Sequence, residues 1–502
     1  MKQCLIILTF IFRALLSHAQ EGFDVVVDRP QEFIESYGAP ALEFDNQKIY
    51  CMARAGYRSF YGRTAFLDQF DNNGNLLSSN YFVDSINGLL PYDAIVKNQF
   101  AYVAGAQLIA KDTLFHAFIG KFNSKMDTIW NNTFRSKENR NFTAFAKISV
   151  SKNRNIALVG VDNQNRQSGS TDPKRNNSIF MLLDSLGNVI NYHCLPKTNQ
   201  NDLEAYQSIV EDAEGNYYAC GFILAWKNIP FIAKYDKNGN FLWRKDYKDP
   251  IYAEAIFDGK LLKNGNLMFV GCNYIDFFST IYNQYILEID TSGKVVRRNY
   301  LFKDRYNSYV DRCVQDDDGN FICSGQTSKD ERTPSKAWLI KFTPQGDSLW
   351  ERQFDSRRAN LNSVFNDIVR SLDGGYIMTG TNWIQENNSS RAWIVKTDSN
   401  GCIVPGCTTG FITEREPHKD LFLLSPNPTQ DYVNVYMNDV EFYDRKYDLY
   451  LYDQQGRIVQ RHVVQGRVTQ LDLSSLSAGM YYYRIVDERN KVRQSGKVVV
   501  NG

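Results

Sequence analysis

One unit recurs along most of this chain, and no other feature constrains the fold as much. It opens on a polar turn and a short apolar strand that usually ends in Gly. A variable polar loop follows, then an apolar strand ending in Lys or Asp. A turn built on Asp and Gly leads to a last strand that ends in an aromatic. The clearest copy runs Asp318-Gly319-Asn320-Phe321-Ile322-Cys323-Ser324-Gly325, then Ala337 to Phe342, then Gln345 to Trp350, closing at Phe354. A second runs from Glu214-Gly215-Asn216 to Tyr247, a third starts at Asn264-Gly265-Asn266, and a fourth starts at Asp373-Gly374-Gly375. Weaker copies begin near Gln47, Asn98 and Asn153 and keep turns such as Asp71-Asn72-Asn73-Gly74-Asn75. About seven copies at a period of roughly 50 residues match the blades of a β-propeller. A four-stranded sheet cannot bury both faces alone, whereas a ring of such sheets can. A β-helix has much shorter repeats, and an immunoglobulin-like array has about twice this period.

The ends of the repeat array are complementary. The last copy has no clear fourth strand after Lys396, and Phe23-Asp24-Val25-Val26-Val27-Asp28 stands unassigned before the first. That N-terminal segment is predicted to complete the final blade and lock the ring. The recurring turns place Gly fourth, with no fixed Glu, so they lack the ligand spacing of an EF-hand and read as hairpin turns. Trp130, Trp243 and Trp350 recur at one position and Trp338 and Trp393 at another, the behaviour of packing residues, and they are read as core.

Composition agrees with an all-β chain. Thirty Tyr and 32 Phe suit pleated, half-buried surfaces. The formal net charge of +1 argues against a nucleic-acid partner. Residues 1–19 read as a signal peptide: Lys2, the apolar run Leu5–Leu16, and Ser17-His18-Ala19 ahead of cleavage between Ala19 and Gln20. The run is shorter than the roughly 20 residues of a membrane span, and no later stretch is apolar enough to cross a bilayer. Export permits disulfides. Cys220, Cys272 and Cys323 lie in strand patterns and read as buried thiols, while Cys402 and Cys407 bracket a short loop and are the candidate disulfide.

Beyond Cys407 the pattern changes. Residues 20–407 are assigned to the propeller, 408–420 to a linker, and 421–502 to a small β-sandwich with strands alternating at a period of two, such as Tyr447 to Tyr452 and Met480 to Val486. Leu424-Ser425-Pro426-Asn427-Pro428, Leu451 to Arg457 with Gly456, Leu471 to Tyr482 with Gly479 and Tyr481, and Gly496-Lys497-Val498-Val499-Val500 together resemble the type A sorting domain of the type IX secretion system of Bacteroidota. The departures, Ser425 before Pro-Asn-Pro and Met480 between Gly479 and Tyr481, remove no strand or turn. The resemblance implies export through the periplasm, the secretion machinery as partner, and a destination in the medium or on the outer-membrane surface. Asp-Ser/Thr-aliphatic triplets, among them Asp127-Thr128-Ile129 and Asp347-Ser348-Leu349, resemble the O-glycosylation motif of the same bacteria.

No motif for a serine nucleophile, a zinc protease or a phosphate loop occurs, and the chain has five His. No catalytic, cofactor-binding or metal-binding residue is therefore assigned. Carboxylate pairs for glycoside cleavage assemble from distant blades and leave no local motif; Glu254, Asp311 and Asp367, on or near first strands, are the residues that could face the central channel, and a structural role is the favoured reading. Two functions remain: a surface or secreted protein that binds a glycan or protein partner on the ring face, and a propeller hydrolase or lyase acting on polysaccharide.

Overall fold

The repeated units fold as radial sheets because each is apolar on both faces. In blade 6 the strand Lys336–Phe342 buries Ala337, Trp338, Leu339 and Ile340 in succession, the pattern of a strand covered on two sides. The computed structural model describes residues 22–27, 33–37, 40–44, 48–57, 63–81, 88–109, 114–135, 142–163, 176–195, 203–224, 228–249, 252–274, 281–328, 333–355, 362–384, 389–403, 422–425, 427–437, 446–466, 468–488 and 492–501. Its strands fall into two compact units, those up to Thr397 and those from Phe422.

The first unit is a seven-bladed propeller. The inner strands of blades 2 to 5 are Leu89–Lys97, Phe142–Val150, Leu203–Glu211 and Ala253–Leu261. Blade 1 has its inner edge in two pieces, Phe33–Tyr37 and Leu42–Phe44, both paired with Lys48–Tyr57. Val295–Gln315 runs through two blades, as the outer strand of blade 5 and the inner strand of blade 6. Blade 7 is Asn362–Arg370, Tyr376–Ile384 and Ser389–Thr397, completed by Phe23–Val26 antiparallel to the last, with Val25 opposite Ile394. The N-terminal segment thus closes the ring as predicted, and Trp393 Nε1 donates to Asp24 Oδ1 at 2.6 Å across that seam.

The core is divided into seven slabs, one at each junction between neighbouring blades. The slab between blades 6 and 7 holds Ile322, Leu339, Phe365, Met378 and Trp393, and the one between blades 7 and 1 holds Phe23, Ile49, Phe70 and Ile394. Trp338 and Trp393 are fully buried in these slabs. Trp130, Trp243 and Trp350 pack against the slabs as expected but are half-buried, at their margins. Each lies against a turn glycine of the following blade, Gly187, Gly293 and Gly401, where a side chain would collide with the indole. Neighbouring side chains tie two of these turns, Asn132 Nδ2 bonding the Gly187 carbonyl at 2.9 Å and Lys245 Nζ that of Ser292 at 2.7 Å, and Asn299 Nδ2 ties the Gly346 turn of blade 6 through the Gln345 carbonyl at 3.2 Å.

The Asp/Gly turns spend their oxygens internally. Asp236 Oδ1 accepts the N–H groups of Asn238 and Asn240, and its Oδ2 accepts the Asn240 amide. Gly239, with φ 81°, supplies the left-handed step that L side chains resist. Asp71 and Asp184 hold the same arrangement.

Cys323, read from the sequence as a buried thiol, is disulfide-bonded to Cys313, its direct partner on the adjacent inner strand. Cys51, Cys194, Cys220 and Cys272 are thiols outside any disulfide. Cys402 is disulfide-bonded, but Cys407 lies outside the described residues.

The second unit is a β-sandwich of two sheets. One orders Phe422–Ser425, Tyr432–Met437 and Val468–Asp472; the other orders Ile458–Val464, Tyr447–Tyr452, Gly479–Val486 and Val492–Val500. Its single core contains Val433, Val435, Leu449, Leu451, Ile485 and Val498.

Candidate functional site: a channel closed by charge

Six of the seven inner strands carry a β-bulge at the same height. The extra residues are Tyr92, Ala146, Gln207, Phe257, Asp311 and Asn366. A bulge bends its strand and re-aims the side chains beside it. Each bulge presses its strand against the neighbouring one, where only glycine fits. A Cβ on Gly105, Gly160, Gly221, Gly271, Gly325 or Gly380 would collide with the facing backbone carbonyl. That contact explains the Gly that ends the second strand of nearly every copy.

The residue after each bulge is polar: Asp93, Lys147, Ser208, Asp258, Arg312 and Asp367. These side chains meet on the axis. Lys147 Nζ of blade 3 lies 2.9 Å from Asp93 Oδ1 of blade 2 and 3.9 Å from Asp367 Oδ2 of blade 7. Arg312 Nε of blade 6 approaches the same Asp367 oxygen at 3.7 Å. Blades 3 and 7 are not neighbours in the ring, so their contact spans the channel and closes it. Asp258 of blade 5 joins through Lys260 at 2.8 Å, Ser208 Oγ at 2.6 Å and the Cys313 N–H at 3.0 Å.

The network balances its own charge. Burial pushes the Asp258 carboxyl up, but Lys260, Lys147 and Arg312 outweigh it and hold the group well below the usual carboxylate range. Burial disfavours the Lys147 ammonium, yet Asp367 and Asp93 raise its pKa above the ordinary value. Three carboxylates, Asp93, Asp258 and Asp367, face three cations, Lys147, Arg312 and Lys260.

The bulge residues form the next layer, on the side of the inner strands' N-terminal ends, and all six are half-buried. Tyr92 of blade 2 packs against Leu90, Ala106 and Ala144, and Phe257 belongs to blade 5. Arg54 backs Tyr92, its Cζ 5.0 Å from the ring centre, and Phe222 meets Phe257 edge-on at 5.9 Å. Tyr309 and Tyr282 pack edge-on at 6.5 Å beside Asp311. Asp311 forms no ion pair among the described residues. Burial raises its carboxyl to about 7, with Asp367 adding to the shift and Arg312 opposing it. The connections between blades, and those from second to third strands, leave from this end of the ring. They are the variable polar loops of the repeat and lie largely outside the described residues.

The other end of the channel differs. A cavity of about 390 Å³ lies where blades 1, 2 and 7 meet, walled by Ala41, Phe44, Ala94, Val96 and Val369. Glu43 at its edge is committed to Ser371 Oγ at 2.9 Å and the Leu372 N–H at 2.6 Å.

Of the three carboxylates singled out in the sequence, the structure brings Asp311 and Asp367 together. Glu254 is elsewhere, beside the slab between blades 4 and 5, with Tyr300 OH donating to its Oε1 at 3.1 Å and Arg298 Nη1 in an ion pair 3.4 Å from its Oε2. Burial lifts its carboxyl to about 7 against the pull of Arg298. The sequence reading missed Asp93, Lys147, Asp258 and Arg312. Aligning the copies on the second-strand Gly puts them in one polar column inside otherwise apolar strands, a signal that was available. Among the described residues no group of His, Cys, Asp and Glu could hold a metal ion, and no helix is long and apolar enough to cross a membrane.

In the sandwich, Asn427 is fixed to the last strand: its Nδ2 donates to the Lys497 carbonyl and its Oδ1 accepts the Val499 N–H, both at 2.9 Å. Pro428 follows it, and the Thr429 N–H continues the clamp onto the Val499 carbonyl. Tyr481 OH donates to the Ser477 carbonyl at 2.8 Å, Gly479 opens its strand, and Gly456 holds φ 79° in a turn led by Asp453. Pro426, the Ala19–Gln20 cleavage point and the 408–420 linker lie outside the described residues.

Comparison with known proteins identifies the second unit. Residues 424–501 match the secretion system C-terminal sorting domain. The chain therefore carries a type IX sorting domain, and its product is secreted or held at the outer-membrane surface. No curated protein matches the sequence. Solved structures similar to the chain include a protein of unknown function from Dyadobacter fermentans (11% identity, 65% of this chain and 95% of that one, TM-score 0.37). A Penicillium chrysogenum α-L-arabinanase complexed with arabinobiose is similar at 9% identity over 74% of this chain and 94% of that one, TM-score 0.41. The β-propeller domain of the Pyrococcus furiosus trilobed protease is similar at 11% identity over 76% and 95%, TM-score 0.35. Likenesses this distant carry nothing about ligand or chemistry.

Proposed function

We propose that the exported protein binds a glycan in the funnel above the charged floor, and that it does not cleave it. The observation that carries this reading is the pairing on the axis. Glycoside cleavage uses two carboxyl groups free to act as acid and as base or nucleophile, flanking the bond to be broken. Here Asp93 and Asp367 are bound to Lys147, Asp367 also faces Arg312, and Asp258 is held by Lys260. What the funnel offers instead is half-buried aromatic faces, Tyr92 and Phe257, among neutral polar groups such as Gln207 and Asn366. Aromatic faces with a few polar anchors are the composition of a binding cleft.

The hydrolase reading has one observation in its favour, the Asp311 carboxyl raised to about 7 without an ion-pair partner. The mature propeller should bind at least one glycan on an array and turn over none of a panel of chromogenic glycosides. Turnover that disappears in Asp311→Asn would reverse the assignment.

A further inference from the structure

We propose that the sorting domain is read on the outer face of its four-stranded sheet, by an acidic protein surface of the export machinery. The match to the sorting domain implies that the sandwich is recognised, and its side chains point to where.

The sequence segments 451–457, 471–482 and 496–500 are far apart in the chain, and most of their residues build the sandwich. Leu451, Leu471 and Val498 belong to the core. A Cβ on Gly496 would collide with the Tyr483 ring, and Asn427 pins the last strand through the Lys497 carbonyl. Tyr452, Tyr482 and Lys497 face away from the core. The strand register nevertheless sets them side by side, in a row of Ile458, Tyr452, Tyr482 and Lys497. The adjoining row is Arg461, Tyr450, Arg484 and Ser495.

Tyrosines flanked by arginine are the composition of a protein interface core, and here Ile458 is 58% and Tyr482 49% exposed. Arg461 is already posed. Its Nη2 bonds Asp448 Oδ2 at 3.1 Å, and its Cζ lies 5.4 Å from the Tyr450 ring centre. Arg484 and Lys497 stand exposed beside it. The two rows thus present three cations and no carboxylate, a field that draws an acidic partner. The outer face of the other sheet differs. Its rows pair Tyr432 with Asp472, Asn434 with Gln470 and Tyr436 with Val468, so the charge it shows is a carboxylate. Four strands about 4.8 Å apart make the cationic face about 15 Å wide, the footprint of a small, transient contact. A lipid surface is met by apolar side chains that insert beneath the headgroups. Tyrosines and cations laid flat across four strands suit a protein surface instead.

The test uses the full chain in a bacterium with an active type IX system. Fractionation measures the share delivered to the medium and surface. Arg484→Glu with Lys497→Glu should cut that share on the order of ten-fold and leave the chain in the periplasm. Tyr482→Ala should cut it by a smaller factor. Arg484→Lys with Lys497→Arg keeps both charges and should be delivered like the parent. Val468→Glu with Gln470→Glu, on the other sheet, should also be delivered. Calorimetry of the retained chain should show the parent's sandwich transition. Should the reversal melt the sandwich, Arg484→Gln with Lys497→Gln carries the same test. Normal delivery of the charge-reversed chain, beside a retained deletion of 421–502, would overturn the inference and leave the sorting role intact. Delivery of the deletion itself would sink the sorting role as well. An equal loss in the charge-keeping pair, or in the pair on the other sheet, would overturn the assignment to this face and its charge. The purified chain should not sediment with phosphatidylglycerol vesicles. Sedimentation that the charge reversal abolishes would overturn the protein partner in favour of a lipid one.

Discussion

The ring and the C-terminal sandwich use the same hairpin for opposite purposes. Asp453 binds the N–H groups of Gln455 and Arg457 as Asp236 binds those of Asn238 and Asn240, and each turn has a glycine at positive φ. In the sandwich a Cβ on Gly456 would meet nothing within 4 Å. In the ring, Gly239 is packed against Asn191 and Leu182 of the preceding blade. The strands differ in the same way. Tyr447–Tyr452 alternates buried and half-buried residues, as a sheet with one wet face requires, whereas Phe231, Ile232 and Ala233 are buried in a row between two neighbouring blades. A turn motif therefore specifies a hairpin, and the surroundings decide whether that hairpin is surface or joint.

The comparison can be broken at several points. Deleting 421–502 should abolish delivery to the medium and surface, leaving a folded ring in the periplasm. Fractionation with circular dichroism measures both, and continued export would refute the division of labour. Removing Gly22–Val27 from the mature chain should cost next most, because it takes the fourth strand from blade 7 and Phe23 and Val27 from the slab beneath. Calorimetry should show the ring's transition broadened and lowered with the sandwich's unchanged. Gly271→Val drives a side chain into the Ala255 carbonyl and should destabilise the ring by about 3 kcal/mol. Gly456→Ala meets open space and should cost the sandwich only about 1 kcal/mol for its backbone conformation. Equal losses at the two glycines, read by denaturant titration, would erase the distinction.

A pH series sharpens the contrast further. Asp311 has its carboxyl raised from 3.8 to about 7 in the folded ring. Between those values the native state holds a proton that the unfolded chain has released, so this group makes stability fall as pH rises from 4 to 7. Asp311→Asn should remove that slope. The variant should gain on the parent across this window and hold a constant advantage above it, with the sandwich transition unmoved. An advantage that shrinks as pH rises would show the carboxyl to be lowered instead.

The architecture was legible because turns repeat. Five Asp-x-x-Gly-Asn segments mark hairpins locally, and about seven copies of the whole unit at one period leave few folds to choose from. Even the ring closure could be read, from a missing strand at one end and a spare one at the other. The charged floor was harder. Lys147 and Asp367 are 3.9 Å apart in space, but each lies alone in its own apolar strand, and nothing local tells a lone Lys there from a solvated one. The Cys313–Cys323 disulfide was missed for a similar reason: ten residues of separation become a direct cross-strand pair only once the register around Asp316–Asn320 is known. Trp130, Trp243 and Trp350 were legible in part: recurrence marked them as packing residues, which they are, but could not show that each also rests on the next blade's turn.

The seam between Phe23–Val26 and Ser389–Thr397 also sets an order of events. The strand made first must wait, unpaired, until almost the last propeller residue has been synthesised and has crossed the inner membrane. Six blades stacked in sequence still leave two raw flanks, and no product truncated before residue 389 can seal them. Completion of the circle thus requires both ends of the array, and an incomplete molecule keeps the sheet edges that the seam would have hidden.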